Sequence, residues 1–200
     1  MIVAALTGSI AMGKSATAKM FAERGVPVFD SDAAVHALYS KGGAAVEPLR
    51  SLIPGAVLGG AVDRGQLSAA ILQDRNLLRK IEQIVHPLVR RMQDEFLEQA
   101  RASACPLVLL DIPLLFETGR DKDVDCIIIV SAPPEIQRRR ALERPGMTAE
   151  KLDFILSKQV PDREKRRRAD FLIDTSKSLE DAARQVDAVI GELKAKGQRR

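Results

Sequence analysis

Short runs of aliphatic residues recur along the chain, separated by longer stretches with helical patterns. The runs cover residues 2–6, 26–29, 107–110, 126–130 and 171–173. Each run is apolar throughout instead of alternating with polar residues, which is typical of strands buried on both faces of a parallel sheet. Because helical patterns lie between the runs, we predict an α/β fold with a five-stranded parallel sheet flanked by helices.

The interval between the second and third runs is too long for a simple crossover, at roughly eighty residues. Within it, residues 75–100 repeat apolar positions with a helical period. The predicted buried face comprises Leu78, Ile81, Val85, Leu88, Met92 and Phe96. We expect residues 34–104 to form a helical insertion at the carboxyl edge of the sheet, where open α/β folds bind ligands.

A second insertion, residues 135–168, is charged, rich in arginine and helical in pattern. Such a segment suits a mobile lid, so we call it the lid segment. The chain is then one domain, with a core of residues 1–33, 105–134 and 169–193 carrying the helical insertion and the lid segment. The basic tail from Lys194 to Arg200 is expected to fray.

Residues 8–15, here called the phosphate loop, read Gly-Ser-Ile-Ala-Met-Gly-Lys-Ser and fit G-x-x-x-x-G-K-[ST] between a predicted strand and a predicted helix, 14–24. Glycines let backbone N–H groups curl around phosphates, Lys14 reaches the β- and γ-phosphates, and the Ser15 hydroxyl can bind Mg²⁺. The motif predicts ATP and Mg²⁺ as cofactors. The predicted nucleotide-binding residues are Gly8, Ser9, Ile10, Ala11, Met12, Gly13, Lys14, Ser15 and Ala16.

The third strand ends at Asp111, which has the form of a Walker B acid that assists Mg²⁺ directly or through water. A plain acid at a strand end would look the same. A guanine-reading N-K-x-D sequence is absent, because Asn76 is the only asparagine and leucine follows it. These features favour a small-molecule kinase over a GTPase, and the chain is short for a motor ATPase.

Asp30, Ser31 and Asp32 follow the second strand and precede a predicted helix. Any of the three could cap that helix. A carboxylate at this strand end could also take the proton of an attacking hydroxyl, as a general base. We favour the catalytic interpretation for Asp32.

Composition narrows the possible partners. The net charge is +4, and basic clusters could grip nucleic acid or the phosphates of a small molecule. One tyrosine and no tryptophan argue against a base-stacking surface, so we expect no nucleic-acid partner. No apolar run is long enough to span a bilayer. Cys105 and Cys126 suit reduced core thiols, so a cytoplasmic monomer is expected.

The ordered set of motifs resembles the dephospho-coenzyme A kinase family, over nearly the whole chain. The set comprises Leu6-Thr7-Gly8 with the phosphate loop, Asp30-Ser31-Asp32, Asp63-Arg64 with Leu67, His86-Pro87, Asp111 to Glu117, Gln137 with Arg140 and Arg144, Gln159, and Arg168-Ala169-Asp170. The resemblance implies transfer of the ATP γ-phosphate to the ribose 3′-hydroxyl of dephospho-coenzyme A.

Carried onto this chain, the resemblance makes Asp32 the base, while Arg140 meets the transferring phosphate and Arg144 is a second nucleotide contact. An arginine fork suits charge spread over phosphoryl oxygens. It also implies acceptor-side roles for Asp32, Arg64, His86, Asp111, Pro113, Leu114 and Phe116. Plain core packing for the apolar members, and a helix kink at His86, stay open as alternatives.

The chain departs from the family pattern in two places. Ser9, Ala11 and Met12 stand in a loop that is usually richer in glycine, which leaves the local backbone geometry open. Ile155 stands where the family often has an arginine. A kinase of the nucleoside monophosphate or shikimate type is the nearest alternative, and a nucleic-acid-binding phosphate-loop protein is a more distant one.

Overall fold

The computed structural model describes residues 1–197 and has the predicted α/β architecture. Five strands form one sheet in the order β2-β5-β1-β6-β7. Its strands are β1 (Ile2–Thr7), β2 (Val28–Asp30), β5 (Leu107–Asp111), β6 (Cys126–Ser131) and β7 (Phe171–Asp174), and a separate two-stranded hairpin pairs β3 (Val57–Leu58) with β4 (Ala61–Val62). The helices are α1 (Lys14–Glu23), α2 (Ser31–Tyr39), α3 (Val46–Leu52), α4 (Arg64–Gln73), α5 (Asn76–Ala102), α6 (Pro134–Leu142), α7 (Ala149–Lys158), α8 (Asp162–Arg167) and α9 (Leu179–Gly197).

The five-stranded parallel sheet confirms the prediction from the apolar runs. Strand β1 lies at its centre and pairs in parallel with β5 and β6. In this register Leu6 faces Asp111, so the acid that ends β5 lies beside the strand that leads into the phosphate loop. A core on one face of the sheet includes Phe21 from α1 and Val186 from α9, both fully buried. The predicted strands were continuous apolar runs because helices cover this sheet.

The contacts divide the chain into two compact units. The first contains Met1–Phe29 and the described residues from Ala100 onward, and therefore holds the phosphate loop, the sheet and the lid segment. The second contains Asp30–Gln99, with α2, α3, α4, the small hairpin and most of α5. Within residues 1–197, no helix combines the length and apolarity needed to cross a membrane.

The long helix α5 confirms the predicted helical pattern, although its buried face is rotated. Ile81 and Val85 are buried as predicted, but Val89 and Leu97 are the next buried apolar positions, with Leu88 only half-buried. Leu78, predicted to be in the core, is 46% exposed, so that assignment is wrong. The helix begins at Asn76, and a side chain in its first turn has few neighbours to pack against.

The start of α2 and the end of α9 bear on two other expectations, the residue that caps α2 and the C-terminal tail. The carboxylate of Asp30 accepts hydrogen bonds from the amides of Asp32 and Ala33, at 2.8 and 2.9 Å, so Asp30 caps α2. The fraying expected from Lys194 stays a prediction; α9 continues as a helix to Gly197. Residues 198–200 lie outside the described part.

Candidate active site

Two glycines of the phosphate loop occupy positions that a larger residue could not take. A Cβ added to Gly8 would lie 2.5 Å from the Val130 side chain and 2.7 Å from its carbonyl oxygen. Gly13 has φ +89° and directly precedes α1. A side chain there would be strained and would also meet Thr175 at 3.2 Å. The loop can therefore fold tightly between β1 and α1.

The non-glycine positions of the loop are held by packing. Ala11 takes a left-handed φ of 61°, which costs an L-residue about 1–2 kcal/mol relative to the right-handed region. Met12 is 2% exposed, and its Sδ accepts the amide hydrogen of Ala132 at 3.1 Å. Ser9 is also buried. The chain thus keeps at Ala11 a backbone conformation that glycine would adopt without strain.

Lys14, at the start of α1, forms an ion pair with Asp111 at the end of β5. The two side chains are 15% and 4% exposed, so this pair is shielded from solvent. An ammonium group held here stands at the helix N-terminus, where anions are stabilised. The arrangement can bind a phosphate by letting Lys14 exchange its carboxylate partner for phosphate oxygens.

The predicted metal ligands are compatible with a Mg²⁺ bound mainly through phosphates. Ser15 is exposed in the first turn of α1, and its hydroxyl makes no hydrogen bond within the described residues. The nearby Thr17 hydroxyl, in contrast, donates to the Gly13 carbonyl at 3.2 Å. Among residues 1–197, no group of three or more histidine, cysteine and acidic side chains is arranged to hold a metal. Ser15 and Asp111 stay predicted ligands of a cation that a nucleotide would bring.

Arg140 of the lid segment is held against the phosphate loop by Thr175. Its two terminal guanidinium nitrogens donate to the Thr175 hydroxyl at 3.1 Å and to the Thr175 carbonyl at 2.7 Å. The same hydroxyl donates to the Met12 carbonyl at 2.8 Å. Sequence reasoning missed Thr175, although it directly follows β7, at the carboxyl edge where ligands of such sheets bind.

A cavity of about 320 Å³ joins these elements. Its lining includes Gly13 and Thr17 from the loop and α1, and Arg140 and Arg144 from the lid segment. The segment after β7 contributes Thr175, Lys177, Ser178 and Leu179, of which none was predicted. Cationic and apolar surfaces thus meet beside the phosphate loop, a combination that suits a nucleotide.

A larger groove of about 830 Å³ lies elsewhere in the first unit, with Met12, Gln137, Asp162, Arg166 and Asp174 in its lining. Its lining contains neither Gly13 nor the predicted lid arginines Arg140 and Arg144. The smaller cavity is therefore the better nucleotide site, because it includes the glycine that opens α1 and both predicted lid arginines.

The stretch after Asp111 has both buried and exposed members. Phe116 is 7% exposed, and the guanidinium of Arg168 lies 4.2 Å above its ring. Leu114 is 43% exposed and Pro113 is half-buried. Leu114 is consequently the most accessible apolar side chain of this stretch.

Glu117 ends this stretch and joins it to α8. Its Oε1 accepts the amide hydrogen of Val160 at 2.9 Å and pairs with the Lys165 ammonium at 2.9 Å. Lys165 is fully buried. Burial alone would raise the pKa of the Glu117 carboxyl, but the bonds from Lys165 and backbone amides hold that pKa below its ordinary value.

The remaining predicted residues, Asp32, Arg64 and His86, belong to the second unit. Asp32 is exposed in the first turn of α2, and its carboxylate makes no hydrogen bond within the described residues. Arg64 begins α4 and lies 5.7 Å from the ring of Tyr39. His86 is exposed within α5, directly before Pro87. The capping alternative for Asp32 is excluded, because Asp30 has that role.

Comparison with known proteins agrees with this geometry. The family model CoaE, dephospho-CoA kinase, matches residues 1–181. A dephospho-CoA kinase from Mesorhizobium japonicum is 57% identical over 100% of this chain and 99% of its own.

Solved structures share the fold over the full length. TT1252 from Thermus thermophilus has a TM-score of 0.82 and 38% identity, covering 96% of this chain and 97% of its own. The dephospho-CoA kinase from Campylobacter jejuni has a TM-score of 0.74 at 22% identity, covering 97% and 98%, which shows a common fold. From the family match and the full-length identity to the Mesorhizobium japonicum relative, the chain belongs to the dephospho-CoA kinase family.

Proposed function

We propose that this protein transfers the γ-phosphate of ATP to the ribose 3′-hydroxyl of dephospho-coenzyme A. The carrying observation is the family match over residues 1–181, in a chain whose phosphate loop keeps Lys14 paired with Asp111. A nucleoside monophosphate or shikimate kinase, the nearest alternative from the sequence, would not account for that match.

On this proposal, Lys14 leaves Asp111 when ATP binds and contacts the β- and γ-phosphates. Asp111 and the Ser15 hydroxyl then hold Mg²⁺ through coordination or water. The cation supplies charge neutralisation to the phosphate oxygens. The ion pair holds both side chains beside the phosphate loop beforehand, so Lys14 has only to exchange its carboxylate partner for phosphate oxygens when the nucleotide arrives.

We assign the lid arginines to the transferring phosphate and the nucleotide. Arg140 is fixed by two hydrogen bonds to Thr175, which leaves its remaining guanidinium hydrogens free to reach phosphoryl oxygens. Arg144 is exposed on the same cavity and is the second contact. An arginine prealigned in this way stabilises developing charge without first having to be ordered.

On the acceptor side, we propose Asp32 as the general base. Its carboxylate is free of helix capping and exposed, so it is available to a substrate hydroxyl. Arg64, His86, Pro113, Leu114 and Phe116 complete the proposed acceptor set on the family resemblance. We also propose that the protein is a cytoplasmic monomer and acts without nucleic acid. Within it, residues 34–104 form the insertion that binds the acceptor, and the lid segment is a mobile element.

A coupled assay of ADP release tests the function. With ATP and Mg²⁺, dephospho-coenzyme A should be consumed far more efficiently than AMP or shikimate. Higher kcat/KM with either of the other acceptors would overturn the assignment. Removing Mg²⁺ with a chelator should abolish turnover if the proposed metal role is correct.

Lys14→Ala should remove most turnover, because the fixed positive charge of the phosphate loop is lost. Since Asp111 is 3% exposed and loses its ammonium partner, the variant should also unfold at a lower temperature. Activity is therefore compared at 25 °C, where circular dichroism verifies that the variant is folded. Near-normal turnover of a folded Lys14→Ala protein would contradict the role.

A further inference from the structure

Two glutamines of the lid segment hold one residue of the phosphate loop. The side-chain amide of Gln137, in α6, donates to the Ile10 carbonyl at 2.9 Å. The amide hydrogen of Ile10 donates to Oε1 of Gln159, which directly follows α7, at 3.1 Å. Both backbone groups of Ile10 are thus satisfied by side chains from a distant part of the sequence. Gln137 is only 7% exposed, so water competes little for its bond.

Apolar contacts surround these hydrogen bonds. Ala11 of the loop clusters with Ala141 of α6 and Leu152 of α7, both fully buried. Ile10 and Leu156 pack at the margin of the same cluster. The lid helices therefore rest on the phosphate loop through packing as well as through the two glutamines.

The geometry of the loop explains why such support is needed. A phosphate loop binds its ligand with backbone N–H groups, so their directions depend on every φ and ψ in the loop. Ala11, the residue after Ile10, sits in the left-handed region, where alanine is strained. Strained conformations persist only when their surroundings over-determine them. In addition, the Ile10 amide is already bonded to Gln159, so it is not available to a phosphate in this conformation.

We propose that Gln137 and Gln159 are positioning residues that clamp the Ile10 backbone and hold the phosphate loop in its nucleotide-binding shape. Neither glutamine needs to touch the substrate. The clamp also ties the first turn of α6 and the end of α7 to the loop. The proposal rests on the proposed function only in taking ATP as the ligand.

The two bonds have opposite polarity, which provides a matched test. Gln137 must donate a hydrogen, whereas Gln159 must accept one. Gln137→Glu places a carboxylate against the Ile10 carbonyl and loses the bond. Gln159→Glu adds the same charge beside the same residue but keeps an acceptor for the Ile10 amide. A buried carbonyl left without a partner disfavours the clamped shape by about tenfold or more. The apparent affinity for ATP falls with the population of that shape.

The first measurement is the KM for ATP, with the KM for dephospho-coenzyme A measured in parallel. Gln137→Glu should raise the KM for ATP about tenfold, Gln159→Glu by less than about threefold, and neither should change the acceptor KM much. Equal effects of the two glutamate variants, or effects confined to the acceptor KM, would overturn the clamp.

A second readout does not depend on turnover. ATP raises the unfolding temperature of a protein that binds it, and the ATP concentration at which the rise sets in reports affinity, because the stabilisation grows as the logarithm of one plus the ratio of the ATP concentration to Kd. That concentration should shift for Gln137→Glu as the KM does. If wild type binds ATP but does not phosphorylate dephospho-coenzyme A, the proposed function fails while the clamp is still tested.

Three further variants cover misfolding and general disturbance of the lid. If Gln137→Glu does not fold, Gln137→Met and Gln159→Met remove each bond without adding charge, and both should weaken ATP binding. Arg138→Gln breaks an exposed ion pair with Asp153 between α6 and α7 without touching the loop. It should leave the KM for ATP unchanged. An equal loss in Arg138→Gln would show that the lid segment as a whole, and not the clamp, sets nucleotide affinity.

Discussion

Breaking the ion pair between Lys165 and Glu117 should destabilise the protein strongly when only one partner is removed. Lys165 has 0% side-chain exposure and Glu117 has 12%. Glu117→Gln keeps an acceptor for the Val160 amide but leaves the buried ammonium without a countercharge. Lys165→Met likewise leaves the Glu117 carboxylate without its ammonium partner. The double variant removes both charges and keeps the bond to Val160.

Removing one partner of a buried pair costs about 3–5 kcal/mol. Because Glu117 retains some exposure, we expect each single variant to lose about 3 kcal/mol in its free energy of unfolding, near the lower end of this range. For a chain of this length, 1 kcal/mol corresponds to about 2–4 °C in the unfolding midpoint, so the loss is about 6–12 °C. The double variant should recover most of this, because replacing both charges is often neutral or stabilising.

Thermal and urea unfolding of wild type, the two single variants and the double variant form a double-mutant cycle. A double variant that loses the sum of the two single losses would refute the buried-pair interpretation. The pH dependence gives a separate check. The folded pKa of Glu117 is lowered, so its contribution is present above the unfolded carboxyl value of about 4.3 and is lost as pH falls through the folded value. The stability difference between wild type and Glu117→Gln should therefore shrink in acid.

Three other outcomes are expected. Asp32→Asn should lower kcat by about 10²-fold or more with little change in stability, whereas Asp30→Asn should keep turnover, because asparagine caps a helix about as well as aspartate. Thr175→Val should lower kcat more than it raises the KM for ATP, since Arg140 loses one of its two bonds to this residue. Burial raises the pKa of Cys126 to about 12, so a disulfide reagent at pH 8 should modify one thiol in the native protein and two in denaturant.

The sequence alone determined the elements of the sheet and the phosphate loop. Short continuous apolar runs bounded by turns are typical of strands covered on both faces, and the helical period between them set the order of elements. The loop motif carries its own chemistry, because the backbone conformation it needs depends on glycines at fixed spacing. Lys14 and Asp111 could be assigned for the same reason: each directly adjoins a predicted strand end or helix start.

Only the tertiary structure decided which side chains meet across long sequence separations. Thr175 binds Arg140 and Met12, yet its sequence neighbourhood resembles an ordinary turn. The two glutamines on Ile10 come from the ends of different helices, and no periodicity marks them.

Helix capping and the buried face of α5 also depended on the fold. Asp30 and Asp32 are chemically identical, and only the backbone direction at the end of β2 aims the Asp30 carboxylate at the helix amides. The apolar pattern of α5 is compatible with several neighbouring helix faces being buried. Packing within the second unit buries the face that contains Val89 and Leu97. A short-range pattern specifies which face is apolar to within one position. The residue that becomes fully buried depends on the direction from which the neighbouring elements approach.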